Sequence, residues 1–323
     1  MALKEILTEW LYVLCALVCF YSVYGTLRDA KNTHWTRWTT ALFWGLLGVT
    51  FAFARVGALW GDKTILIPNN IIGYLILVLT VLAAINSIKV GKVDESTPEF
   101  KQAASKKIGN VIFLPALGLG VLTFIVAQIW TKELGSLVAL GVAALLSTVI
   151  GLWITKGTPR QLMDDGRRLL ELVGPLSILP QLLAALGAVF AAAGVGKVIS
   201  DGISVVIPKG DPLVGVIVYV LAMALFTIIM GNAFAAFAVI TIGIGIPFVI
   251  AQGGNPVVVA ALGLTAGYCG TLITPMAANF NIVPASILEI KDKKWGVILY
   301  QLPISIIFLV IHIVAMYFLA FNH

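Results

Sequence analysis

Runs of about 20 apolar residues, each long enough to cross a ~30 Å hydrocarbon core as a helix, constrain this chain more than any other feature. Five ordinary spans read off the first half: Trp10 to Leu27, Ala41 to Trp60, Ile65 to Ile88, Ile108 to Trp130 and Ser136 to Thr155. Lipid offers the backbone no hydrogen-bond partner, so unbroken runs of this length must close their hydrogen bonds internally as helices. Only 11% of the residues are charged and 60% are hydrophobic. That excludes the soluble enzyme classes, whose chains run near 25% charged. The expected fold is an all-α polytopic helical membrane protein. The net charge of +6 does not point to nucleic acid, because the basic residues fall between apolar runs and are not interleaved with aromatics.

The basic residues instead orient the chain. Arg28, Lys31 and Arg37, then Lys89, Lys92, Lys101, Lys106 and Lys107, then Lys156, Arg160, Arg167 and Arg168 occupy alternate loops, against Lys4, Lys63 and Lys132 on the other side. The positive-inside rule then predicts an outer N-terminus, cytoplasmic loops at 89–107, 156–168 and 291–294, and an outer C-terminus. The first run has Glu5 and Glu9 near its start and no small-residue cleavage site before Arg28, so it reads as an uncleaved span. Cys15, Cys19 and Cys269 form neither a CxxC pair nor a disulfide framework. The 91–107 segment carries both signs of charge and reads as a partly helical cytoplasmic linker. Residues 161–174 alternate charged and apolar sides at helical spacing, as an amphipathic helix lying at the interface does.

After residue 175 the texture changes. Pro212 to Leu288 contains no Lys, Arg, Asp, Glu or His, yet Gly and Asn interrupt it at Gly231-Asn232, Gln252-Gly-Gly-Asn-Pro256, Gly267-Tyr-Cys-Gly270 and Thr274-Pro-Met-Ala-Ala-Asn-Phe-Asn281. Backbone that leaves the helix at membrane depth must be satisfied by protein or by a wet cavity, and broken helices of this kind are the usual pointer to a transport site. Close glycine packing between ordinary helices accounts for the glycines, but not for Pro275 with Asn279 and Asn281. Residues 175–201 read either as one full span or as a re-entrant hairpin of two short helices meeting at Gly187, the hairpin being preferred. Lys197 and Asp201, four apart on its second arm, are either a pair or two snorkelling residues.

These motifs resemble the ion-transporter superfamily of secondary carriers, which includes gluconate permeases and dicarboxylate carriers, over residues 175–321. The matching positions are Gly187, Phe190 and Gly194-Val-Gly196, then Gly231-Asn-Ala-Phe-Ala-Ala, then Gly267 to Asn279. More narrowly, Gly231 to Thr241, Gly253-Gly-Asn-Pro and Thr274 to Pro284 look like one bacterial family, formerly a domain of unknown function. The resemblance implies the larger subunit of a two-subunit 5-oxoproline (pyroglutamate) transporter in the bacterial inner membrane. Superfamily members carry two inverted copies of the hairpin and broken helix, whereas residues 1–155 show only ordinary spans. The chain therefore looks like half of a carrier, completed by a smaller membrane subunit or by a second copy. Its expected organisation is a three-span scaffold at 1–90, the linker at 91–107, two spans and the interfacial helix at 108–174, and the transport region at 175–323. Pro68-Asn69-Asn70, the one candidate break in the scaffold, reads as a helix cap.

A substrate such as 5-oxoproline offers one carboxylate and a lactam N–H and C=O, which a charge-free site suits. Helix N-termini opened at Gly231-Asn232 and Gly270-Thr271 would take the carboxylate, and Asn and Thr side chains the lactam. The expected substrate-binding residues are Gly187, Phe190, Gly231, Asn232, Gly270, Thr271, Thr274, Pro275, Asn279 and Asn281. No cofactor is expected; coupling to Na⁺ would use carbonyl, Thr or Asn oxygens, and coupling to H⁺ would need Glu171, Asp201, His312 or the partner. Arg55 reads as a residue that snorkels or pairs with Asp62, or as an anion's way in, and His312 as a helix-packing hydrogen bond or a functional group. A membrane enzyme would need a catalytic constellation, and the sequence shows no HExxH, paired intramembrane carboxylates or GxSxG. The other alternative is a scaffolding subunit whose partner carries the substrate site.

Overall fold

The structure, a computed structural model, describes residues 3–29, 35–53, 67–85, 87–89, 97–129, 135–204, 210–288, 290–292 and 294–321. All regular structure among the described residues is helical. Among the described residues, six helices are long and apolar enough to cross a membrane: 3–28, 99–129, 135–155, 212–230, 233–252 and 296–321. The chain is thus an all-α, multi-pass membrane protein, and it divides into two compact units, Met1–Pro175 and Leu176–His323.

In the first unit α1 (Leu3–Arg28) packs along α2 (Thr36–Phe53), with Gly48 set against Phe20. Helix α3 (Asn69–Ala84) has 16 residues, about 24 Å, and falls short of the predicted Ile65–Ile88 span. Its C-terminal flank leaves the helix because α2 claims it: Thr39 Oγ1 donates to the Ser87 carbonyl (2.6 Å) and Lys89 N–H donates to Thr40 Oγ1 (3.0 Å). The expected asparagine cap is also displaced. Pro68 occupies the cap position, and Asn69 is the first helical residue. The side chain of Asn69, and the whole of Arg55 and Asp62, lie outside the described residues.

Residues 98–107 of the predicted linker are helix. Helix α4 (Pro98–Ile108), capped by Thr97, runs through a 3₁₀ turn at Gly109–Phe113 into α5 (Leu114–Ile129), which packs against α6 (Gly135–Thr155). Helix α7 (Pro159–Val173) starts with a capping box between Thr158 and Gln161. Its charged stripe does not face water throughout. Tyr21 of α1 donates to Asp164 (2.8 Å), Arg167 Nε donates to Glu171 (2.6 Å), and Thr26 Oγ1 donates to the same Glu171 oxygen (3.3 Å). Positions 164, 167 and 171 share one helix face, and a carboxylate only 2% exposed needs those donors to remain buried.

The second unit opens with two successive helices, α8 (Leu179–Ala192) and α9 (Val195–Ser204). The break between them falls at Ala193-Gly194, where Gly194 adopts φ +75°, and not at Gly187, through which α8 runs unbroken. Gly187 has a different use: a Cβ there would sit 2.8 Å from Ala235 Cα. Next come α10 (Pro212–Met230), capped by Asp211, and α11 (Ala233–Ile240), which continues through a π turn (Thr241–Gly245) into the short α12 (Ile246–Phe248). Gly253 at φ +102° ends this arm, and Asn255 caps α13 (Pro256–Leu272). A second π turn (Ala278–Ile282) leads to α14 (Val283–Ile287), and α15 (Gly296–Phe321) closes the chain.

The core of this unit is Val216, Tyr219, Val220 and Met223 of α10 against Ala236, Ile240, Val259, Ala266 and Met316. Gly263, Gly267 and Gly270 form the stripe of α13 that meets α10, lying against the Tyr219 ring, Met223 and the Ala224 carbonyl. Small residues there let two backbones approach as side chains would not. Gly196 and Gly243 do the same between α9 and the π turn, where a Cβ on Gly243 would sit 2.6 Å from the Gly196 carbonyl.

Candidate functional site

Two interruptions of helix meet in the second unit. The first ends α10 at Gly231, whose φ of +71° is a left-handed conformation that glycine adopts without penalty. Asn232 then starts α11, its Oδ1 accepting from the N–H groups of Phe234 (2.8 Å) and Ala235 (3.3 Å). The second lies after α13, where residues 273–277 run outside helix before the π turn. The two are tied together. Thr274 Oγ1 donates to the Ile228 carbonyl (2.7 Å) and accepts from Met276 N–H (3.2 Å), and a Cβ on Gly231 would lie 2.7 Å from the Met276 carbonyl.

Asn281, 4% exposed, serves the end of α13. Its Nδ2 donates to the carbonyls of Thr271 (2.9 Å) and Thr274 (2.7 Å), with Leu272 at 3.3 Å. Helix ends leave carbonyls without intrahelical partners, and this side chain supplies the missing donors from ten residues away. Its Oδ1 is buried without a hydrogen-bond partner among the described residues.

Where the interruptions meet there is a cavity of about 40 Å³. Asn232, Ala233 and Phe234 bring to it the first turn of α11; Tyr268 and Thr271 come from α13, Ala277, Ala278 and Phe280 from the second interruption, and Leu179 and Leu183 from α8. Among the described residues, no charged side chain lines it. Phe234, Tyr268 and Phe280 form a chain of ring contacts, at 6.2 Å (edge-on) and 5.9 Å (tilted) between centroids. Thr271 Oγ1 donates to the Tyr268 carbonyl (2.6 Å), so toward a ligand it is an acceptor.

Of the residues expected at the site, Gly231, Asn232 and Thr271 line this cavity. Thr274 and Asn281 stand behind it and hold the backbone that forms it. Gly270 lies in the α10–α13 contact against the Ala224 carbonyl, and Gly187 lies against Ala235. Phe190, half-buried on α8, and Pro275, half-buried in the loop, do not line it. The side chain of Asn279 lies outside the described residues. Leu179, Leu183, Phe234, Tyr268 and Phe280 are lining residues that the sequence pattern does not single out. The three aromatics had a visible signal, since each stands within three residues of a Gly or Asn in an interruption.

Elsewhere in the unit, His312 of α15 bridges to α13. Its Nδ1 faces the Phe308 carbonyl (2.7 Å), which can only accept, and its Nε2 faces Thr265 Oγ1 (2.9 Å). That is a helix-packing bond. Lys197 and Asp201 make no ion pair with each other.

A protein-family model, described as Protein of unknown function (DUF979), matches residues 9–321. No curated protein and no solved structure matches the chain.

Proposed function

We propose a transport function for this chain, which belongs to the DUF979 family: it is a subunit of a secondary carrier for a small organic anion, of the 5-oxoproline kind, in a bacterial cell membrane. The observation that carries the reading is the charge-free cavity at the first turn of α11, built from two helix interruptions in a stretch without any Lys, Arg, Asp, Glu or His. A helix N-terminus carries partial positive charge, which favours a carboxylate without a fixed cation, even though Asn232 Oδ1 already takes the N–H groups of Phe234 and Ala235. Asn232 and Thr271 add neutral donors and acceptors of the kind a lactam needs. Aromatic rings over the opening supply apolar cover for a small ring.

The cavity of about 40 Å³ admits a few waters and no organic acid. Substrate entry therefore requires the rings of Tyr268 and Phe280, or α8 at Leu179 and Leu183, to move away. Such a closed arrangement is one state of an alternating-access cycle, in which a packed element rocks against a fixed site. Cation coupling suits the site better than proton coupling. Asn281 Oδ1 and the surrounding carbonyls are neutral oxygen ligands, whereas a proton relay is ordinarily built on Asp, Glu, His, Lys or Arg, none of which occurs in residues 212–288. The missing second inverted unit comes from a smaller membrane subunit or another copy.

The test is uptake of labelled 5-oxoproline into proteoliposomes containing the chain, alone and with a candidate smaller membrane subunit, with and without an inward Na⁺ gradient. Uptake by the pair that is lost on replacing Asn232 supports the reading. Uptake unaffected by any lining substitution would make this chain a scaffold for a partner that holds the site.

A further inference from the structure

The first unit has a cleft of about 620 Å³, in the size range of small-molecule sites (~300–1,000 Å³), and the transport reading makes no use of it. One wall is a single stripe of α4, from Phe100 through Ala104 to Lys107 and Ile108. The other is the end of α6, Trp153 to Thr155, with Lys156 just beyond it. The antiparallel packing of α5 on α6 brings these two places together, because α4 continues α5 beyond the end at which α6 stops.

The cleft is apolar along its walls and cationic at two points. Phe100 is 63% and Trp153 81% exposed, so two large aromatic side chains flank an open apolar surface. Lys107 and Lys156 are exposed, and neither pairs with a carboxylate among the described residues. The nearest charges along the chain are Lys106 and Arg160, both positive, with Glu99 the one acid on α4. The cleft lies at the end of the 135–155 span, where a bilayer's headgroups meet its acyl chains, and on the side the positive-inside rule assigns to the cytoplasm.

We infer that this cleft is a binding site for an anionic phospholipid, its phosphate held between Lys107 and Lys156 and its acyl chains against Ile108, Val111 and Ile154. A soluble anion would use the lysines and leave the apolar walls wet; a zwitterionic lipid would use the walls and leave the lysines unpaired. Only an anionic amphiphile answers both, as in the basic pockets between spans that hold acidic headgroups. The lipid would join α4 to the end of α6 and so fix the connection between α3 and α5 to the membrane surface.

Native mass spectrometry of the full-length protein, with phosphatidylglycerol and phosphatidylethanolamine added in equal amounts, tests the inference. The variant is Lys107→Gln with Lys156→Asn, asparagine being the side chain that best tolerates the φ of 54° at position 156. Lys291→Gln with Lys294→Gln removes the same charge from exposed positions elsewhere. The expected result is preferential retention of phosphatidylglycerol by the native protein and the control pair. In the cleft variant that preference falls about 30-fold, at roughly fivefold per lysine. Ala104→Trp, which fills the cleft without altering charge, should lower retention of the lipid as well. The inference is overturned if the cleft variant keeps the native preference, if the control pair loses as much, or if millimolar inorganic phosphate displaces the lipid completely.

Discussion

The hydroxyl of Thr274 donates to the carbonyl of Ile228 across 46 residues of chain, at 2.7 Å. Breaking α10 at Gly231-Asn232 deprives that carbonyl of its helical partner, and the second interruption returns one. The two breaks are therefore one construction, each satisfying backbone that the other exposes.

Thr274→Val removes the donor and leaves a buried acceptor unpaired, at a cost of about 1–3 kcal/mol. Thr274→Ser should restore most of it. Thermal unfolding of both variants in detergent decides the matter; equal melting temperatures for valine and threonine would deny the tether any weight.

Asn232 has a capping role and, in the proposed function, a binding role, and two substitutions separate them. Asn232→Leu loses the cap, about 1 kcal/mol, together with transport. Asn232→Asp keeps a capping oxygen and the fold but places negative charge where the carboxylate must sit. The aspartate variant should unfold like the native protein and take up no 5-oxoproline. Normal uptake by it would move the anion site away from α11.

Asn281→Leu strips donors from the carbonyls of Thr271 and Thr274 and should be among the most destabilising single changes in this unit, at roughly 2 kcal/mol or more. The cation-coupled reading adds a second signature. Na⁺ should raise the melting temperature of the native protein by linkage and leave that of the variant unmoved. A Na⁺ response equal in the two would place the cation elsewhere.

Gly187→Ala drives a methyl group toward the Ala235 backbone and should cost about 1–3 kcal/mol as α8 shifts off α11. Gly202→Ala is the matched control, because nothing lies within 4 Å of the new methyl group, and it should be neutral or slightly stabilising. Comparing the two melting temperatures tests whether α8 is seated on α11 where the structure puts it.

His312→Gln should lose only about 0.6 kcal/mol, the average worth of an interhelical side-chain hydrogen bond in a membrane protein. Uptake by the variant, measured across imposed Na⁺ and pH gradients, should depend on them as native uptake does. A lost response to a pH gradient would turn the helix-packing bond to Thr265 into a proton relay.

Sequence alone determined the helical character of this protein and some of the places where its helices stop, Gly231 and Gly253 among them, while α3, α8 and α13 end elsewhere than expected. Both are local matters: twenty apolar residues cannot satisfy their backbone in lipid except as helix, Gly231 and Gly253 take left-handed φ values that glycine tolerates best, and Asn232 and Asn255 cap α11 and α13. Only the tertiary structure decided the purpose of each interruption. Gly187 and Gly270 look from their spacing like Gly231, yet the first two are contact points between backbones and the third is a turn at the cavity. Asn281 reads as a site residue but spends its amide on carbonyls ten and seven positions back, and Leu179, more than fifty residues from Asn232, shares a cavity with it. Such roles depend on which atoms arrive opposite a residue from distant parts of the chain, and no local pattern of hydropathy or turn chemistry specifies that approach.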